Sequence, residues 1–252
     1  MICPLRQHRG FSLIELLFSV SIGAIILLAT GAVLVASGEH YETISGGVAT
    51  EREARAALRQ LASDLSSARF HQDVVFEESV APWPADRIGI LSLQAPEAQS
   101  EAGRVGDLCA VSYYLDDLVS GGRTVRCLMR GFRESGETFR AIKGGNVPPL
   151  FDVRGGIDEP VAFGVVSFEA RAQTRGESGE WEEWKPNDSV GPDALRVRLV
   201  IARREILGRL PAAGDWDGTG RAMSWLGVPS EAGRNKNLEV YETTIRFGHD
   251  AH

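Results

Sequence analysis

An α+β fold is predicted for this chain, with a long N-terminal helix packed on a C-terminal antiparallel β-sheet domain. Three observations predict it. Residues 11–37 form an apolar run holding one charged residue, Glu15. Apolar residues then recur at helical spacing as far as Ala68. After Phe70 the pattern changes to short alternating segments separated by turn-rich stretches.

The first half of the helix is long enough for a bilayer. Its 27 residues, Phe11 to Ser37, would extend about 40 Å at ~1.5 Å per residue, more than the ~30 Å hydrocarbon core requires. No proline interrupts the run, and Gly23 and Gly31 are tolerable in a membrane helix. Arg6 and Arg9, with His8 nearby, precede it and Glu39 comes after it. By the positive-inside rule the leader stays in the cytoplasm and the rest of the chain beyond the helix is exported.

The second half is amphipathic. Ile44, Val48, Ala54, Leu58, Leu61, Leu65 and Ala68 recur at intervals near three and four, and Glu51, Arg52, Arg55, Arg59 and Asp64 are assigned elsewhere around the helix. Gly46-Gly47 interrupts the pattern and is a candidate bend or unwound turn. Two roles fit this half, packing on the chain's own sheet and contact with a neighbouring subunit, and they are compatible on different faces.

Beyond Phe70, Pro82-Trp83-Pro84 marks a loop and Ile88 to Leu93 reads as a strand. Residues 94–107 read as a loop. Leu108 to Leu115 and Arg123 to Arg130 read as a hairpin joined through Asp116-Asp117 and Gly121-Gly122. Val161 to Arg171 and Ala194 to Ile201 form a second predicted pair. Residues 208–237 read as a long irregular excursion before a final strand, Leu238 to Phe247.

Composition narrows the function classes. The formal charge is −7, from 27 basic and 34 acidic side chains. An acidic domain repels a phosphate backbone, so nucleic acid is not an expected partner. The five histidines, His8, His40, His71, His249 and His252, fall in the leader, the helix, just beyond the helix and at the carboxyl end. No nucleophile elbow, phosphate-binding glycine loop or paired-histidine metal motif occurs, so no catalytic residue, metal or cofactor is expected.

The stretch Arg9-Gly10-Phe11-Ser12-Leu13-Ile14-Glu15-Leu16-Leu17 resembles the class III signal of type IV pilins and of the pseudopilins of type II secretion. The resemblance implies a cut between Gly10 and Phe11 by the prepilin peptidase, N-methylation of Phe11, and an assembly role for Glu15. It also implies the pilin-like lollipop arrangement. Residues 1–10 would be a cleaved basic leader, 11–37 the transmembrane half of the helix, 38–70 its amphipathic half, and 71–252 an exported β-rich domain. The processed chain would lose two arginines, leaving 25 basic against 34 acidic side chains, or −9. It would sit in the inner membrane as a single-pass protein with its C-terminal domain in the periplasm, among other minor and major pilin-like subunits. A carboxylate in a bilayer helix costs a few kcal/mol, and pairing Glu15 with a neighbour's free amino terminus would offset that cost.

Further along, Val111-Ser112-Tyr113-Tyr114-Leu115, Leu128-Met129-Arg130, Trp181 and Trp184 after Gly179, and Pro192 to Val197 occur in one order. That order resembles the J-type minor pseudopilin of type II secretion, and less closely the W-type minor pilin of type IV pili. The function implied is a pseudopilus subunit or tip subunit for protein secretion. The alternatives are a minor pilin of a surface fibre for adhesion, motility or DNA uptake, and a binding or hydrolytic domain on a pilin-like anchor.

Three further features carry alternatives. Cys109 and Cys127 flank the predicted hairpin, where antiparallel pairing could bring them opposite one another as a disulfide or leave two buried free thiols. Asp215-Trp216-Asp217-Gly218-Thr219-Gly220 has carboxylates and a glycine turn, as calcium loops do, but lacks a glutamate at the required offset, so a surface turn competes with a calcium site. Trp181 and Trp184 are either an aromatic contact for a partner or packing at a sheet edge.

Overall fold

The computed structural model describes residues 13–70, 73–79, 81–120, 122–176, 178–185 and 191–247; side chains at 15, 16, 19, 25, 29, 31–49 and 120 lie outside the description. The fold is α+β with antiparallel sheets. The described residues divide into two compact units, the boundary falling between Ser45 and Gly46.

The first unit is the N-terminal part of helix α1 (Leu13–Ser66). The helix is assigned through Gly46 and Gly47, so the unwound turn expected there does not form, although the unit boundary does fall at that pair.

The second unit holds the rest of α1 and two sheets. Along α1, Thr50, Ala54, Ala57, Leu61, Asp64, Leu65 and then Ala68 are buried, at the spacing one helix face requires. The first sheet contains β1 (Ala68–Arg69), β2 (Val75–Glu77), β3 (Arg87–Leu93), β4 (Leu108–Ser120), β5 (Arg123–Arg133) and, after helix α2 (Ser135–Gly144), β6 (Glu159–Phe163). Its order is β1-β3-β4-β5-β6, with β2 also paired to β3. The second sheet contains β7 (Val165–Arg175), β8 (Trp181–Glu183), β9 (Ala194–Ala202) and, after helices α3 (Arg204–Leu207) and α4 (Met223–Leu226), β10 (Leu238–Arg246). Its order is β10-β9-β7-β8.

One predicted strand proves to be two. Val161 to Arg171 straddles Gly164, whose φ of 72° falls in the left-handed region that glycine adopts without penalty. There the chain leaves the first sheet and enters the second. The hairpin is also longer than expected: Asp116 and Asp117 are paired residues of β4, opposite Cys127 and Arg126, and the pairing runs on to Ser120 opposite Arg123.

The main core forms where α1 meets the inner faces of both sheets. Ala54, Ala57, Leu61 and Leu65 join Ile88, Val111, Tyr113 and Leu128 from one sheet and Phe168, Leu195, Val197 and Leu199 from the other. The 203–237 excursion is ordered by a core of its own. Ile206, Leu210, Trp216, Ala222, Leu226 and Ala232, spread over its short helical turns, cover Val166, Val200, Ala202 and Leu238 on the outer side of the second sheet. Helix α2 has no counterpart among the predicted elements; Gly145 at its end, with φ 66°, was the available signal.

Candidate functional site

The expected processing pair, Gly10 and Phe11, lies outside the described residues, and Glu15 lies in α1 with its side chain outside the description. Around it the helix is apolar and uncovered: Leu13 is 83% exposed, Leu27 75% and Leu28 76%, with Ile14, Leu17, Phe18 and Ile26 likewise exposed. The described hydroxyls of this stretch bond inside the helix. Ser21 Oγ donates to the Leu17 carbonyl at 2.8 Å and Thr30 Oγ1 to the Ile26 carbonyl at 2.7 Å, which satisfies each hydroxyl without water. Apolar side chains exposed over several turns of helix make a surface of the kind that lipid or other helices cover. Among the described residues no helix is long and apolar enough to cross a membrane; the span from Phe11 to Ser37 includes residues outside that description, and its continuity is a property of the sequence.

In the second unit the chemistry-bearing side chains are absorbed by structure. Asp64, assigned to the polar side of the helix from sequence, is only 1% exposed. It receives Arg130 Nε at 2.8 Å and Nη2 at 3.2 Å, the Tyr113 hydroxyl at 2.6 Å and Gln94 Nε2 at 2.9 Å, while its carbonyl accepts from Ser92 Oγ at 2.8 Å. The helix is thereby bonded to β4, β5 and the end of β3. Burial and the neighbouring Asp64 carboxylate push the Tyr113 phenol above its ordinary range. The helical period would have revealed Asp64, because it shares the face of Ala54, Ala57 and Leu61.

A second buried carboxylate, Asp158, accepts from Arg133 Nη1 at 2.5 Å, the Tyr114 hydroxyl at 2.7 Å and the Arg154 backbone N–H at 2.9 Å. Burial alone would raise its pKa; these three donors outweigh burial and hold it below the ordinary carboxylate value. Asp86 behaves oppositely. Burial pushes it up although it accepts the backbone N–H groups of Ser79 and Ala170.

Cys109 and Cys127 are free and buried. Cys127 stands opposite Asp116, and Cys109 lies seven residues further along β4, roughly 24 Å away at ~3.4 Å per residue, far beyond the ~6 Å Cα separation a disulfide spans. The disulfide is therefore corrected to two thiols, and burial pushes them up to about 11 and about 12. In the 215–220 loop, Asp215 accepts the Ala212 N–H, Asp217 pairs with Arg126 at 2.8 Å, and Trp216 is fully buried and donates to the Thr124 carbonyl. Gly218, with φ 67°, sits where a Cβ would collide with the Trp83 indole. No group of three or more metal-ligating side chains occurs among the described residues. The two tryptophans separate: Trp184 is buried edge-on to Phe70 and Phe76, whereas Trp181 is 37% exposed.

The first unit is a helix with exposed apolar side chains, and the second is an α+β unit whose buried carboxylates Asp64 and Asp158 are held by internal bonds. The comparisons agree in kind: residues 5–31 match the prokaryotic N-terminal methylation motif, which supports a type IV pilin-like protein. The motif implies processing by a prepilin peptidase and assembly with other pilin-like subunits, and it suggests anchoring in a membrane by the N-terminus. A search of curated proteins finds no match.

Proposed function

We propose that this chain is a minor pilin-like subunit of a type II secretion pseudopilus or of its tip, and not an enzyme. The carrying observation is the run from Gly10 through Glu15 inside the matched motif, leading into a helix with exposed apolar side chains. In this reading the leader stays in the cytoplasm, the peptidase cuts between Gly10 and Phe11, and Phe11 is methylated. The helix then leaves lipid for a bundle of like helices, where Glu15 pairs with a neighbour's amino terminus, and the domain from residue 71 onward stands in the periplasm. The order of the 111–130 hairpin and the Trp181–Val197 stretch favours the J-type subunit of secretion over a surface-fibre pilin.

Intact-mass measurement of the protein from cells containing the peptidase tests this. The expected product lacks residues 1–10 and carries one added methyl group. An amino terminus at Met1 in those cells overturns the proposal. Loss of secretion in a deletion strain with fibres intact assigns the secretion system; the reverse assigns the fibre.

A further inference from the structure

The 203–237 excursion covers only part of the outer face of the second sheet. On the open part, strand alternation and register bring five arginines to one side. Arg171 and Arg175 alternate on β7, Arg196 stands directly opposite Arg171 on β9, Arg198 lies two residues on, and Arg246 on β10 is opposite Ala194. They are five of the 27 basic side chains of a chain whose net charge is −7. Like charges opposite one another across a ladder destabilise a sheet, so Arg171 facing Arg196 is a cost unrelated to packing.

The compensation inside the chain is partial. Glu169 lies near Arg171 and Arg198, at 3.4 and 3.7 Å, Glu242 holds Arg196 at 2.6 Å, and Arg171 also contacts Glu78. Arg175 and Arg246 have no carboxylate partner among the described residues. Their guanidinium carbons instead sit 5.5 and 5.8 Å from the ring centroid of Trp181. The partly exposed Trp181 indole thus has two guanidinium groups within reach of its ring, and the same sheet carries an open groove of about 350 Å³ lined by Arg171, Arg196, Arg198, Glu169, Glu242 and Ser230. Tryptophan and arginine are the residues on which binding energy concentrates at protein interfaces, and guanidinium groups match carboxylates in bidentate geometry.

We propose that this face docks an acidic, extended segment of another protein, its carboxylates bound by Arg175, Arg246 and Arg196 and its chain laid against Trp181. The proposal goes beyond the subunit reading and rests on the second unit alone, so the amino terminus and this face stand or fall separately.

Fluorescence anisotropy of the full-length chain in detergent tests it. The probe is a labelled twelve-residue Glu/Asp/Ser peptide, compared with a Lys/Ser peptide of equal length and a duplex DNA of similar charge. Saturable binding of the acidic peptide alone is expected, weakening as salt is raised. Arg246→Gln and Arg175→Gln should each weaken it about tenfold, the scale of one charge-assisted hydrogen bond. Glu242→Gln removes a carboxylate competing for Arg196 and should tighten binding severalfold, a direction that damage to the fold would not produce. Equal binding of both peptides, tighter binding of the DNA, or unchanged affinity in both arginine variants overturns the proposal.

Discussion

The two units of this chain treat apolar side chains in opposite ways. In the N-terminal part of α1, Leu13, Leu27 and Leu28 are more than 70% exposed; in the second unit Leu61, Leu65, Leu195 and Leu199 are at 0–1%. The residue type is the same, and the source of the cover differs. The second unit supplies its own from two sheets, at about 25 cal/mol per Å² of apolar surface removed from water. For the first the proposed cover is lipid and then neighbouring helices, where the hydrophobic effect no longer discriminates and close packing and polar contacts set the association. The same contrast runs through the carboxylates. Asp64 and Asp158 are met by arginines of their own chain, whereas Glu15 is proposed to be met by a neighbour.

Four changes break or sharpen that comparison. The largest effect is expected at Glu15. Glu15→Leu makes the helix more apolar, so membrane insertion persists, while processed protein accumulates in the membrane and its crosslinks to other pilin-like subunits disappear. Normal crosslinking would place the assembly contact elsewhere. In the second unit, Asp64→Ala leaves Arg130 facing a low-dielectric core without its carboxylate. Denaturant titration should show a loss of about 3–5 kcal/mol, with helix insertion unaffected; a change below about 1 kcal/mol would mean that solvent replaces Asp64 there.

A smaller effect concerns acid. The fold holds Asp158 below its ordinary value of 3.8, so its stabilisation is complete above that value and is lost as pH falls through the depressed one. Stability in denaturant titrations between pH 7 and about pH 2 should therefore fall on the acid side. Asp158→Asn should flatten part of that slope while lowering stability at neutral pH. Asp86, raised by burial, works the other way and moderates the fall. The smallest effect is chemical: with thiols pushed up to about 11 and about 12, Cys109 and Cys127 should resist iodoacetamide at about pH 8 in the native protein and alkylate at once in denaturant, both recovered unlinked. A linked peptide pair would contradict the β4–β5 register.

Much of the fold was legible because its signals are local. The 88–93, 108–115, 123–130, 194–201 and 238–247 strands each announce themselves by alternation or an apolar run, and all five occur, with β4 and β5 longer than read. The errors lie where a local pattern was continued past a nonlocal event. Val161 to Arg171 looks like one strand until Gly164 turns the chain from one sheet to the other. Cys109 and Cys127 look opposed until the pairing is seen to run on to Ser120 opposite Arg123, which sets Cys127 against Asp116, seven residues from Cys109. For Trp181 and Trp184 the sequence leaves packing and partner contact both open, and the structure packs Trp184 against Phe70 and Phe76 while Trp181 stays partly exposed.

By itself the sequence determined the class of the amino-terminal segment, because a long apolar run, the glycine before it and the single glutamate within it are properties of consecutive residues. It determined the long helix and the five strands read from alternation or apolar runs for the same reason, and missed α2 and the break at Gly164. Tertiary structure alone decided which polar groups are buried and with whom: Asp64 meets Arg130 across 66 residues and Arg126 meets Asp217 across 91. It also decided that five arginines scattered between residues 171 and 246 share one open face. Those pairings depend on strand register and on which face turns inward, and a shift of one residue in register would send every strand side chain among them to the other side of its sheet.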